Sequence, residues 1–224
     1  MTAHFVDLLD ALHRRSLRMA ELVEDVLSEA CEAVFQPDDG LARRVIRRDR
    51  EVDAAEVEVE TEVIRLMALY QPVGSDLRLL CTVLKINNDL ERIADCAVNI
   101  AERSRHIDSE SMPDVGKDLK VLGPAVQRML HNAMWAYTAE DEDAGRQVIT
   151  DDRAVDGLYG ELVRKAVIEG SQASDSIAAY LDLLSVAKNL ERIADHATNI
   201  AEDVIYLVTG RIVRHRKESP ELPG

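Results

Sequence analysis

Four pairs of acidic residues stand one helical turn apart in this chain: Glu91 and Asp95, Glu191 and Asp195, Asp49 and Asp53, Asp152 and Asp156. Side chains at i and i+4 share one face of a helix. Like charges there repel by roughly 0.2–0.5 kcal/mol, so each stacked pair costs stability unless a cation sits between its members. A divalent ion would reverse that sign. An all-oxygen donor set suits Mg²⁺, Ca²⁺, Mn²⁺ or iron rather than copper or thiolate-bound zinc. One such pair means little, because 42 acids in 224 residues produce about eight i, i+4 pairs by chance.

The pairs gain weight because the chain repeats itself. Residues 90–102 read LERIADCAVNIAE and residues 190–202 read LERIADHATNIAE, identical at 11 of 13 positions. Asp49-Arg-Glu-Val-Asp53 is matched more loosely by Asp152-Arg-Ala-Val-Asp156. Duplicated halves diverge at solvated positions, so carboxylates kept in both suggest a shared use. Arg92 and Arg192 recur beside them as neutralising cations, and Asn99 and Asn199 recur one turn on, either orienting ligands or bonding across helices. His196 stands where the first half has Cys96, which reads better as a packed histidine than as a ligand.

Long helices must carry these residues. Gly and Pro mark breaks at Pro37–Gly40, Pro72–Gly74, Met112-Pro113, Thr138–Asp141, Gly170-Ser171 and Gly210. Between them lie six helices near 4–36, 40–70, 75–108, 112–137, 141–169 and 174–209. Thr138-Ala-Glu-Asp141 reads as a capping box for the fifth, and Gly210 as the stop of the sixth. Gly123-Pro124 predicts a kink or a late start in the fourth. Val186, Leu190, Ile193, Ala197, Ile200, Val204 and Leu207 form an apolar stripe at helical spacing, and Ile86, Leu90, Ile93, Ala97, Ile100 and Ile107 repeat it. Glu191 and Asp195 lie roughly 125–165° from that stripe at 100° per residue, on a different face. If the second and third helices of each half run antiparallel, four carboxylates per half converge at the surface. The expected fold is all-α: two tandem pseudo-symmetric three-helix bundles at 1–109 and 110–210, with a tail at 211–224.

Composition narrows the function. The net charge of −15 opposes nucleic-acid binding and an electrostatic grip on anionic lipid. Cys31, Cys81 and Cys96 are too few for a disulfide framework and read as small buried hydrophobes in a reduced cytosol. No stretch is apolar enough to span a membrane and the N-terminus lacks a signal-peptide pattern, so the expected location is the cytoplasm. There is no Walker loop, no Gly-x-Ser-x-Gly, no His-Glu-x-x-His, and no Glu-x-x-His of the ferritin type. No nucleophile stands with a matched base. Arg211, Arg214, Arg216 and Lys217 reverse the charge after Gly210, where cations complement a helix dipole.

Gln71-Pro-Val-Gly-Ser-Asp-Leu-Arg78, Leu90-Glu-Arg-Ile-Ala-Asp95 with Asn99-Ile100, and Asn189-Leu-Glu-Arg-Ile-Ala-Asp195-His196-Ala-Thr-Asn199-Ile200 resemble the PhoU family over about residues 5–210. The resemblance implies six helices in two similar bundles and surface metal sites at Glu91, Asp95, Glu191 and Asp195, with Asp49, Asp53, Asp152 and Asp156 in accompanying positions. The metal would be divalent or transitional: Mg, Mn, Fe or Zn. It also implies a non-enzymatic, commonly homodimeric, cytoplasmic negative regulator of phosphate metabolism. Such a regulator would link the ATP-binding subunit of a phosphate ABC transporter to a phosphate-sensing histidine kinase, reaching the membrane through those partners. An accessory of a low-affinity phosphate permease, or a carboxylate-bridged metal store or metalloenzyme, is the alternative.

Overall fold

The apolar stripes dictate helices that must bury one side along their whole length. The computed structural model, which describes residues 3–36, 39–108, 112–172 and 177–213, contains six of them. They are α1 (Ala3–Ala33), α2 (Asp39–Tyr70), α3 (Ser75–Ser104), α4 (Leu119–Ala139), α5 (Glu142–Gln172) and α6 (Ile177–Thr209). α1, α2 and α3 pack on one another, as do α4, α5 and α6, and the halves join where α3 lies on α6 and α1 meets α4. Ile86, Leu90, Ile93 and Ile100 of α3 and Val186, Ile193, Ile200 and Val204 of α6 are fully buried in this central seam. Each such side chain contributes about 1.5–3 kcal/mol by leaving water. The duplicated segments therefore form the spine, and their acidic positions are carried on its outward faces.

Several boundaries differ from the sequence expectation, each for a local reason. The fourth helix starts late: a 3₁₀ turn at Asp114–Asp118 precedes α4, which then carries Pro124 inside it. α3 ends at Ser104 rather than 108. The fifth helix runs through Gly170 to Gln172, because Gly170 is no stop. It is buried against Tyr180, where an added Cβ would meet the ring at 3.3 Å. Thr138 does not open a capping box. Its Oγ1 donates back to the Met134 carbonyl, Glu140 closes α4 in the left-handed region at φ 49°, and Asp141 Oδ1 caps α5 by accepting the Ala144 N–H at 3.0 Å. Residue 174, the expected start of the sixth helix, lies outside the described residues. Cys96 is buried, but Cys31 and Cys81 are only partly so.

Two marks behave as read. Gly210 adopts φ 71° and donates to the Tyr206 carbonyl at 2.8 Å, ending α6. Gly74, at φ 61°, opens α3. Arg78, the last residue of the Gln71–Arg78 motif, places Nη1 where it would stand 2.5 Å from a Cβ on Gly210. The motif thus ties the start of α3 to the end of α6. Of the basic tail, Arg211 donates its N–H to Thr209 Oγ1, while Arg214, Arg216 and Lys217 lie outside the described residues.

Candidate metal centre

Antiparallel packing of α2 on α3 and of α5 on α6 sets the eight predicted carboxylates in two groups. In the first half, Asp49 and Asp53 of α2 face Glu91 and Asp95 of α3. The proton affinity of Asp49 is raised by burial, then by the charges of Asp53, Asp95 and Glu102. That of Glu91 is raised by burial and by Asp95, with Arg92 pulling the other way and Glu56 and Asp53 adding to the rise. In the second half Asp152 is pushed up to about 6, first by burial, then by Asp156 and Asp195, with Thr198 opposing and Glu191 reinforcing. Asp195 is raised by burial and by Glu191, against Lys188, with Asp156 raising it again and His196 opposing. Burial is the first cause of each rise and the neighbouring carboxylates the next, so these groups are close enough to repel.

The cations of the two groups differ. Arg92 bonds Asp95 at 3.0 Å and places Nε 3.1 Å from Glu91 Oε2, as the repeated arginine predicts. That Glu91 oxygen is buried yet receives no well-aligned hydrogen bond. In the second half Lys188, one turn before Glu191, takes the role and binds Glu191 while lying over the Tyr159 ring. Sequence reading missed Lys188, and also missed Glu56, whose proton affinity is raised by burial and then by Glu60 and Asp53. Both were findable by carrying the three-or-four spacing one turn further along α2 and α6.

Among the described residues, no three His, Cys, Asp or Glu side chains converge closely enough to hold an ion as they stand. The donor chemistry nevertheless fits a hard cation: all the candidate ligands are oxygens and they repel one another.

His196 is no ligand to these groups. Its Nδ1 crosses to Asp89 Oδ1 on α3 at 2.7 Å, and Asn199 donates to the same oxygen at 3.3 Å. The recurring asparagine thus bonds across helices in one half, while Asn99 is exposed in the other. Lys85 to Asp203 at 3.0 Å and Arg103 to Asp182 at 3.5 Å complete the polar rim of the α3–α6 seam. Among the described residues no helix is long and apolar enough to cross a membrane.

The model of the PhoU domain family matches residues 16–104 and 119–204. A Zymomonas mobilis protein named phosphate-specific transport system accessory protein PhoU homolog is 36% identical over 214 residues, covering 96% of this chain and 90% of that protein. A Clostridium acetobutylicum protein of the same name is 35% identical, covering 92% and 94%. The crystal structure of PhoU from Pseudomonas aeruginosa superposes with a TM-score of 0.89 at 35% identity, covering 92% of this chain and all of that one. That of the phosphate transport system regulatory protein PhoU from Streptococcus pneumoniae gives 0.87 at 27% identity.

Proposed function

The chain belongs to the PhoU family, and from that premise we propose that it regulates phosphate uptake and phosphate-starvation signalling without being an enzyme. Relatives carrying the name of a phosphate transport accessory protein support the broad role. In this reading the protein works in the cytoplasm, as a homodimer, through contacts with the ATP-binding subunit of a phosphate ABC transporter and with a phosphate-sensing histidine kinase. Docking would hold the kinase in its repressing state while phosphate is plentiful.

The observation that carries the reading is the pair of carboxylate groups kept on the outward faces of a duplicated spine. Glu91, Asp95, Asp49 and Asp53 would hold one divalent or transition metal ion, and Glu191, Asp195, Asp152 and Asp156 another. Mg, Mn, Fe and Zn are the candidates. The metal would neutralise most of the local charge and fix the spacing of α2 on α3 and α5 on α6, presenting a defined surface to partners. Mutual repulsion among these groups supports this. Affinity purification of the full chain from phosphate-replete cells, with mass spectrometry of bound proteins, tests the partner assignment. Recovery of the transporter ATPase and the kinase is expected, and recovery of a single-chain phosphate permease in their place would redirect the role to low-affinity uptake.

A further inference from the structure

The Gly123-Pro124 pair has no part in the function proposed above, and both of its local rules are broken. Pro124 sits six residues into α4, past the first turn where proline is tolerated. It supplies no N–H to the Lys120 carbonyl, which loses its helical donor. Gly123 costs about 1 kcal/mol against alanine in a helix interior. Packing does not demand it: its φ is ordinary, and an added Cβ would meet nothing nearer than Cys31 Sγ at 3.6 Å.

What the pair does is leave space. A cavity of about 420 Å³ opens between α1 and α4, lined by Gly123, Pro124, Cys31 and Phe35 at its walls and by Ile100, Val186 and Leu190 at its floor. This volume is in the range of small-molecule sites, and its lining is predominantly apolar. The floor residues are almost fully buried, so the cavity reaches the central seam. Burial pushes the Cys31 thiol up to about 12, so it lines the wall as a neutral group. Further along the α1–α4 seam Tyr137 is fully buried, with the His13 ring edge-on at 4.8 Å.

The polar groups sit at the side chains of Ser28, Glu32, Gln127 and Lys120. Glu32 is engaged by Gln36. Lys120 holds its ammonium 5.1 Å over the Phe35 ring, and its charge is paired with no carboxylate among the described residues. An apolar chamber whose wall carries the Lys120 ammonium, with the Glu32 carboxylate already accepting from Gln36, fits a ligand with an apolar body and an anionic head.

We propose that this cavity binds a small apolar monocarboxylate, its alkyl or aryl body on Ile100, Val186 and Leu190 and its carboxylate at Lys120. The site lies between the two halves and apart from both carboxylate groups, so a ligand there would wedge α1 from α4 without competing for metal.

Titration calorimetry of the full chain with decanoate and with 1-decanol, in chelator, tests this, together with methyl NMR. Saturable decanoate binding is expected, with shifts at the methyls of Ile100, Val186 and Leu190. Gly123→Leu fills the chamber and should weaken both ligands about tenfold or more while leaving the melting temperature unchanged or higher. Lys120→Met keeps the stem over Phe35 and should weaken decanoate about tenfold but leave decanol within about twofold. Absence of saturable binding to the wild type, shifts confined to other methyls, or unchanged binding in a folded Gly123→Leu would overturn the site. Equal loss of both ligands in Lys120→Met would overturn the carboxylate assignment.

Discussion

His196 on α6 places Nδ1 2.7 Å from Oδ1 of Asp89 on α3, joining residues 107 positions apart across the seam between the halves. Asp89 is 6% exposed, so its charge depends on that imidazole and on Asn199. A carboxylate only accepts, so Nδ1 carries the hydrogen. The repeat has no counterpart to this pair, because Cys96 replaces the histidine in the first half and Asn189 replaces the aspartate in the second. His196→Cys, which restores the residue of the other half, should therefore cost about 1–3 kcal/mol in urea unfolding, by leaving a buried carboxylate short of a donor. Asp89→Asn should recover part of that loss in the double variant.

Metal binding makes a prediction through linkage. A divalent ion at a hundred times its dissociation constant adds about 2.7 kcal/mol, which for a chain of this size raises the melting temperature by roughly 5–10 °C. Replacing Glu91, Asp95, Glu191 and Asp195 together should abolish the rise in differential scanning calorimetry. The opposite sign is expected in chelator. Asp152→Asn removes one repelling charge, and the metal-free protein should become more stable by a few tenths to about 1 kcal/mol. A quadruple variant that keeps its full response would place the metal elsewhere.

His13 predicts a pH dependence. Burial lowers its proton affinity, Glu140 and Asp10 only partly oppose this, and its Nε2 is buried without a partner. The unfolded chain protonates near pH 6.5 whereas the folded chain resists. Stability is thus full above that pH and falls as pH drops below it. His13→Phe, which keeps the edge contact with Tyr137, should gain on the wild type between pH 7.5 and 5.5 in denaturant titrations. A constant difference would show that His13 does not titrate against folding.

Glycine substitutions separate open helix face from close approach. Gly157 and Gly160 have nothing within 4 Å of an added Cβ, so each alanine variant should gain about 0.5–1 kcal/mol in thermal unfolding. At Gly145 the same Cβ would stand 3.2 Å from the Ala201 carbonyl oxygen, a backbone atom that cannot turn away. Gly145→Ala should lose stability despite the better propensity.

Most of the spine was legible because a stripe from Val186 to Leu207 has one solution, a helix with that face buried. The grouping of Asp49 and Asp53 with Glu91 and Asp95 was legible too, since a short connection forces α2 and α3 antiparallel. What escaped was tertiary. Gly170 reads as a stop in sequence, and only the Tyr180 ring opposite reveals a packing role. Pro124 reads as a kink or a late start, yet α4 opens at Leu119 and runs through it. Thr138 has the spacing of a capping box, but Glu140 turns left-handed and hands the cap to Asp141. His196 gave no sign of Asp89, because its partner lies on the other half.

Under the proposed function this protein represses the phosphate-starvation response when phosphate is plentiful. Alkaline phosphatase activity in high phosphate, measured in a strain deleted for this gene and carrying no second copy, tests it most directly. Activity raised to the starvation level, and returned to baseline by the wild-type gene but not by the variant lacking Glu91, Asp95, Glu191 and Asp195, is the predicted result. Repression as tight as in the parent strain would contradict it.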